Sequence, residues 1–219
     1  MASLAEYFPF WGNITQSERE KLESSAVARV YKSGTILHNG SQDCVGLFVI
    51  KSGQLRAKIA SDEGKEMTVF RLFEGDICLF SASCIMKSLQ FDLIIETEKN
   101  TELWVIPPLV YKSVMDESAA VANYTNELMA SRLSEVIWLI EQVLWKSFDK
   151  RLAQFLEQEN ILEGSDILNI THEMIANHMG TAREVVTRML KYFQSEGIVK
   201  LSRGKIELAD KNKLKGLAG

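Results

Sequence analysis

Between Arg183 and Arg188 the chain reads Arg-Glu-Val-Val-Thr-Arg, which sets two guanidinium groups, a carboxylate and a hydroxyl on about two turns of any helix that contains them. The chemistry open to such a set is recognition. An arginine can donate two parallel hydrogen bonds to guanine O6 and N7, and a glutamate can accept from the cytosine amino group. Val185 or Val186, Met189, Leu190 and Phe193 recur at three- and four-residue spacing. That spacing predicts a buried helical stripe and leaves Arg183, Glu184, Thr187, Arg188 and Lys191 outside it.

Such a helix must be held by its neighbours. Thr171 and Glu173 to His178 suit a preceding helix with Met174, Ile175 and Met179 on its apolar side, and Met179-Gly180-Thr181 breaks it at a glycine able to take positive φ. Thr181 and Glu184 have the spacing of a capping box for the second helix. Gly197 ends that helix, and Ile198 to Leu201 with Lys205 to Leu208, around Ser202-Arg203-Gly204, form a small hairpin or wing. Two helices joined by a short glycine turn are how proteins lay a helix in the DNA major groove. An ordinary helical hairpin with solvated arginines would need neither the cap nor the wing, and their agreement favours DNA. Arg183, Glu184, Thr187 and Arg188 are the expected base-facing residues; Thr171, Thr181, Ser202 and Arg203 are placed with them as DNA contacts, the last three at phosphates.

At these residues the chain resembles the Crp/Fnr family of bacterial transcription regulators, and Arg183-Glu184-Val185-Val186-Thr187-Arg188 is similar to the family's recognition motif R-E-x-V-x-R. Arg183, Glu184 and Arg188 match the three recognition residues of its cyclic-AMP-receptor branch, which implies half-sites similar to TGTGA in inverted repeat. Lys150 to Leu156 resembles the opening helix of the family's winged helix-turn-helix, followed by a polar loop from Asn160 to Asp166 and a short strand, Asp166 to Ile170.

Charge agrees with this division. Residues 1–145 carry 13 basic against 19 acidic side chains, residues 146–219 carry 12 against 10, and 180–205 carry 6 against 2. A locally basic carboxyl end on an acidic chain suits a module that meets phosphates yet stays soluble. With 46% hydrophobic residues the chain is globular, and no stretch approaches the roughly 18 apolar residues of a membrane span. Three cysteines, Cys44, Cys78 and Cys84, are too few and too oddly numbered for a disulfide framework. The expected location is cytoplasmic.

The amino-terminal part reads differently. Tyr7-Phe8-Pro9-Phe10-Trp11 is an aromatic plug ahead of a helix from Gln16 to about Ser25, capped by Thr15 and Glu18. From Val27 to Ile106, short apolar runs punctuated by Gly34, Gly40, Gly53, Gly64 and Gly75 predict a barrel or jelly-roll sandwich. The resemblance makes this the family's sensor β-roll. A metalloenzyme of cupin type would need converging histidines, but His38 stands apart from His172 and His178 and reads as a polar strand-end residue. No Ser/His/Asp set, Walker loop or dinucleotide fingerprint is present, so no enzyme is expected and no metal site is assigned. The rival function is a ligand-binding roll that acts through protein contacts and binds DNA weakly.

The resemblance places the effector region at Cys78, Phe80, Ser81, Ser83, Cys84 and Phe91 on the roll and at Ile137 and Trp138 on the helix that follows. Where cyclic-nucleotide members carry a ribose-binding glutamate and a phosphate-clamping arginine, this chain reads Leu79-Phe80-Ser81 and Gln90-Phe91-Asp92-Leu93. Loss of that guanidinium argues against cyclic AMP. Cys78 and Cys84 can be a redox pair, a haem ligand or small buried hydrophobes, the last being the common fate of free cysteines. No cofactor is predicted, and haem or another small-molecule effector stays open.

Pro107-Pro108 ends the β region, and a helix free of Gly and Pro runs from about Ala119 to Leu144. Met129, Leu133, Val136, Ile140 and Val143 step by 4, 3, 4 and 3, a seam for a second copy. Ile137, Trp138, Leu144 and Trp145 occupy another side, expected against the roll. The expected architecture is therefore α+β: an effector-sensing β-roll over 1–117, a dimerisation helix over 118–145 and a winged helix-turn-helix over 146–219. The family's partners would follow: double-stranded DNA at an inverted repeat, a second copy, RNA polymerase and an unidentified effector.

Overall fold

The structure is a computed structural model and describes residues 3–40, 44–85 and 92–219. It divides into two compact units, the first comprising 1–59 with 69–136 and the second 60–68 with 137–219.

In the first unit, helix α1 (Gln16–Ser25) begins as the sequence predicts. Thr15 Oγ1 accepts from the Glu18 amide at 3.3 Å while the Glu18 carboxylate accepts from the Thr15 amide at 2.6 Å. Among the described residues eight strands follow, with residues 60–68 at the ends of β4 and β5 and between them counted in the second unit: β1 (Val27–Tyr31), β2 (Ile36–Asn39), β3 (Leu47–Ser52), β4 (Leu55–Ala60), β5 (Glu66–Leu72), β6 (Ile77–Cys78), β7 (Ile94–Thr97) and β8 (Thr101–Ile106). They form two four-stranded sheets, β1-β8-β3-β6 and β2-β7-β4-β5. Phe48, Ile50 and Leu103 from one sheet meet Leu55, Ala57, Leu72 and Ile95 from the other in a shared core. The alternate residues Leu47 and Val49 face a second cluster with Phe8, Phe10, Tyr111 and Val114. The continuous apolar run Leu47 to Ile50 thus reflects a strand buried on both faces. His38 is buried within β2, opposite Ile95, and is not the strand-end residue expected.

Pro107 and Pro108 end β8 and start helix α2 (Pro108–Glu117), Pro108 taking the first turn where its missing N–H costs nothing. Helix α3 (Ala119–Trp145) then runs unbroken for 27 residues and passes from the first unit into the second. Among the described residues no helix is long and apolar enough to cross a membrane.

In the second unit, α4 (Phe148–Glu163) is longer than expected: it continues through Asn160 and stops at Gly164, whose φ of 60° is a left-handed cap. The strand after it is reduced to β9 (Ile167–Leu168), which joins β10 (Val199–Ser202) and β11 (Lys205–Leu208) in a sheet of order β10-β11-β9. A final helix α7 (Lys211–Ala218), which the sequence reading does not contain, packs Leu214 and Ala218 into the core. Between these lie α5 (His172–Met179) and α6 (Arg183–Ser195).

Candidate nucleic-acid interface and effector region

Helix α5 starts at Thr171, whose hydroxyl accepts from the Met174 amide at 3.1 Å, and ends at Gly180 with φ of 64°. A Cβ on Gly180 would stand 3.1 Å from Met67 Sδ, so both conformation and space call for glycine. Ile175, Ala176 and Met179 are the buried face; Met174, expected there, is exposed, because the face is centred between Ile175 and Ala176 and Ala176 lies about 200° round the helix from Met174. His178 Nδ1 lies 2.7 Å from Thr68 Oγ1, within the same unit.

Helix α6 buries Val186, Leu190 and Phe193 completely, and Val186 settles the ambiguity with Val185. The expected capping box is absent. The helix is entered through Ala182, no side chain caps it, and Glu184 is exposed on the outward face. The tight turn explains the difference: the Thr181 amide still bonds back to the Ala176 carbonyl at 3.1 Å, so Thr181 belongs to the end of α5. Arg183, Glu184, Arg188 and Lys191 are exposed. Thr187 differs from them. It is half-buried, and its hydroxyl lies 2.9 Å from His172 Nδ1, which ties α5 to α6. Burial, and after it the Arg183 guanidinium, holds the His172 pKa below its ordinary value.

Past Gly197, with φ of 72°, β10 and β11 pair from Val199–Leu208 to Ser202–Lys205. Their two-residue turn is Arg203-Gly204, with Gly204 at φ of 71°. Ser202 and Arg203 are both exposed at this tip. Thr171 and Thr181, at the two ends of α5, are exposed and half-buried respectively.

The effector region departs further from expectation. Cys84 is disulfide-bonded to Cys44, which precedes β3, across a Cα–Cα distance of 5.7 Å; it is neither paired with Cys78 nor buried. Cys78 is the free thiol, buried on β6, where burial above all pushes its pKa up. The pairing carries no sequence signal, since the two positions lie 40 residues apart and connectivity cannot be deduced from spacing. Phe80 and Ser81 are buried at the start of a 3-10 segment, Phe80–Ile85. The side chain of Ser83 and all of Phe91 lie outside the described residues.

A guanidinium does reach this region, from α3. Arg132, the single basic residue in that helix, is 8% exposed, sits 5.2 Å over the Phe70 ring and 3.7 Å from Asp76, and donates to both oxygens of Glu135 at 2.7 and 2.9 Å. Two carboxylates already engage it. Its isolation in an otherwise acidic and apolar helix was the available signal.

Beyond Arg132, α3 opens. Leu133 is 62% exposed, Ile140 46% and Val143 42%, while Val136 is half-buried and Met129 packs on the two clusters of the roll. Ile137, Trp138, Leu144 and Trp145 are also exposed, the last at 81%. The most continuous open stripe is therefore Leu133, Ile137, Ile140 and Leu144, stepping by 4, 3 and 4.

A winged helix-turn-helix whose second helix turns charged residues outward defines a DNA-binding regulator. Comparison with known proteins agrees. The Crp-like helix-turn-helix domain matches residues 150–217. A crystal structure from Eubacterium rectale, assigned to the Crp/Fnr family of transcriptional regulators, is 56% identical, covers 97% of this chain and 99% of its own, and superposes with a TM-score of 0.95. The cyclic AMP receptor protein of Thermus thermophilus is 23% identical over 210 residues, 96% of each chain. The fumarate and nitrate reduction regulatory protein of Yersinia pestis is 24% identical over 198 residues, 86% of this chain and 77% of its own. The chain belongs to the Crp/Fnr family of DNA-binding transcription regulators.

Proposed function

We propose that the protein is a homodimeric, sequence-specific regulator that reads an inverted-repeat duplex in the cytoplasm, acts on RNA polymerase and has no enzymatic activity. One observation carries the reading. Arg183, Glu184 and Arg188 are exposed on a helix whose opposite face, Val186, Leu190 and Phe193, is wholly buried. A rigid stripe beneath and hydrogen-bonding groups above are what base-edge recognition requires.

The remaining roles follow from this placement. Because no side chain caps α6, the Arg183 and Glu184 amides are suited to a backbone phosphate, with Thr171, Thr181, Ser202 and Arg203 as its other contacts. The open stripe from Leu133 to Leu144, with Val136 and Val143 beside it, suits a second copy of α3. Residues 1–117 then sense the effector, 118–145 dimerise and 146–219 bind DNA. An effector held between roll and long helix would bias the two copies of α6 toward the spacing of successive major grooves, about 34 Å. The missing phosphate clamp, and the engagement of Arg132 by Asp76 and Glu135, argue against cyclic AMP or cyclic GMP as that effector.

Selection from a random duplex library tests the proposal. The enriched sequence should be an inverted repeat similar to TGTGA with its complement. Enrichment of no sequence, or of one without two-fold symmetry, would contradict it.

A further inference from the structure

We propose that Cys44 and Cys84 are a thiol–disulfide pair whose oxidation state sets the DNA affinity of this regulator. The inference rests on the DNA reading above and names the regulation of the same region.

A disulfide in a protein that works on DNA in a reducing compartment is poorly explained as a static staple, because such bonds there are commonly transient and regulatory. The placement suits exchange. Cys84 is exposed, so its sulfur can be attacked from solvent, whereas the third thiol, Cys78, is sealed on β6 opposite Phe48 and cannot act as the resolving group. The two loops are also held together without the sulfurs. The amides of Val45 and Gly46 both donate to the Ser81 carbonyl, at 3.1 and 3.2 Å, and the Ser81 hydroxyl donates to the Cys78 carbonyl at 3.0 Å. Gly46 is fixed in turn, since a Cβ there would stand 2.7 Å from the Ile106 carbonyl oxygen. After reduction the thiols therefore remain neighbours, and the bond can form again.

A thiolate of a dithiol reductant attacks Cys84 Sγ, and Cys44 leaves as a thiolate and takes a proton. The second thiol of the reductant then releases Cys84, and the reductant departs as its own disulfide, having given two electrons and two protons. A low-molecular-weight disulfide reverses the change and leaves as two thiols.

The pair is also wired to the dimer helix. The segment that Cys84 anchors begins with Phe80, whose ring centre is 5.5 Å from that of Phe70; Phe70 lies under Arg132, and Arg132 precedes Leu133 of the open stripe. All of these residues are in the first unit. Opening the bond releases the Cys84 end of that segment while Ser81 stays held, so that a changed packing of Phe80 on Phe70 shifts the seat of Arg132 and alters the face that α3 offers its partner.

Full-length protein is equilibrated in glutathione buffers of varied reduced-to-oxidised ratio, quenched by alkylation and weighed. In parallel its affinity for the duplexes enriched under reducing and under oxidising conditions is measured. The expected thiol count falls from three to one, with Cys78 the survivor by peptide mass, and affinity changes at least about tenfold over the same ratios. Cys44→Ser and Cys84→Ser should hold the reduced behaviour at every ratio, and Cys78→Ser should still switch. A count that stays at three overturns the proposal, as does a full thiol transition with affinity unchanged, or a switch retained in Cys44→Ser. Absence of duplex binding at every ratio, with the thiols still titrating, also overturns it, and the thiol count shows that the DNA reading is what failed. If a serine variant does not fold, the wild-type titration decides alone.

Discussion

Helix α6 and the carboxyl half of α3 each leave a face open, and the two faces offer opposite chemistry. On α6 the open side carries Arg183, Glu184, Arg188 and Lys191, while on α3 it carries Leu133, Ile137, Ile140 and Leu144. Charged, hydrogen-bonding groups keep their hydration at little cost and exchange it for base edges and phosphates when DNA arrives. Exposed aliphatics gain only by leaving water, and a second identical stripe lets them do so. Exposure alone does not name a partner; the chemistry of what is exposed does.

The largest effect that would break this contrast is expected at α3. Leu133→Asp or Ile140→Asp puts a carboxylate into the seam, with a desolvation cost on the order of several kcal/mol, and the dimer should fall apart. Light scattering at micromolar protein should then give the monomer mass, and affinity for the full inverted repeat should collapse toward that of one half-site. An unchanged mass would remove α3 as the dimer element.

The α6 side of the contrast was legible in the sequence because helix period, turn and wing are local. Val186, Leu190 and Phe193 fall where three- and four-residue spacing puts them, and Gly180, Gly197 and Gly204 each take the positive φ expected at a turn. The capping box failed because a four-residue motif cannot tell a helix start from the tail of the preceding turn, which claimed Thr181. Pairings across long separation were invisible. Cys44 with Cys84, Thr187 with His172, and Arg132 with Phe70 and Asp76 depend on how strands and helices stack. The same holds for α3, whose periodicity shows that two sides are apolar but not which is covered. There Met129 turned inward while Ile137 and Leu144 turned outward.

A smaller effect is expected at the wing. Arg203→Ala removes a charge from the exposed tip and should weaken binding to every duplex alike, lowering the salt slope by about 1. Titrations at several salt concentrations on matched and mismatched duplexes check this; a loss confined to one sequence would make Arg203 a base contact.

Smaller still is the response of the α5–α6 junction to pH. The folded pKa of His172 is depressed, by burial first and by Arg183 second, so the native state favours the neutral ring. Below the ordinary value of 6.5 the unfolded chain binds the proton more readily than the folded one. The contribution is thus full above that value and is lost as pH falls through it toward the folded value. Denaturant midpoints taken at about pH 7.5 and about pH 5.5 should drop on acidification, and His172→Gln should reduce the drop. An identical drop in the variant would assign the effect elsewhere.

The least response of all is expected from cyclic AMP or cyclic GMP, because Arg132 is occupied by Asp76 and Glu135. Calorimetry should give no heat at micromolar ligand, and binding there would show that the effector region does accept a cyclic phosphate.

Arg188→Ala, followed in a binding series over single-base variants of the enriched duplex at two salt concentrations, decides whether the open face of α6 reads bases. The expected result is a loss of roughly 1 to 3 kcal/mol on the preferred site and flattened discrimination at one guanine, with the salt slope little changed. If Arg188→Ala instead weakened every variant equally and lowered the slope, Arg188 would be a phosphate contact and the base-reading face would lie elsewhere.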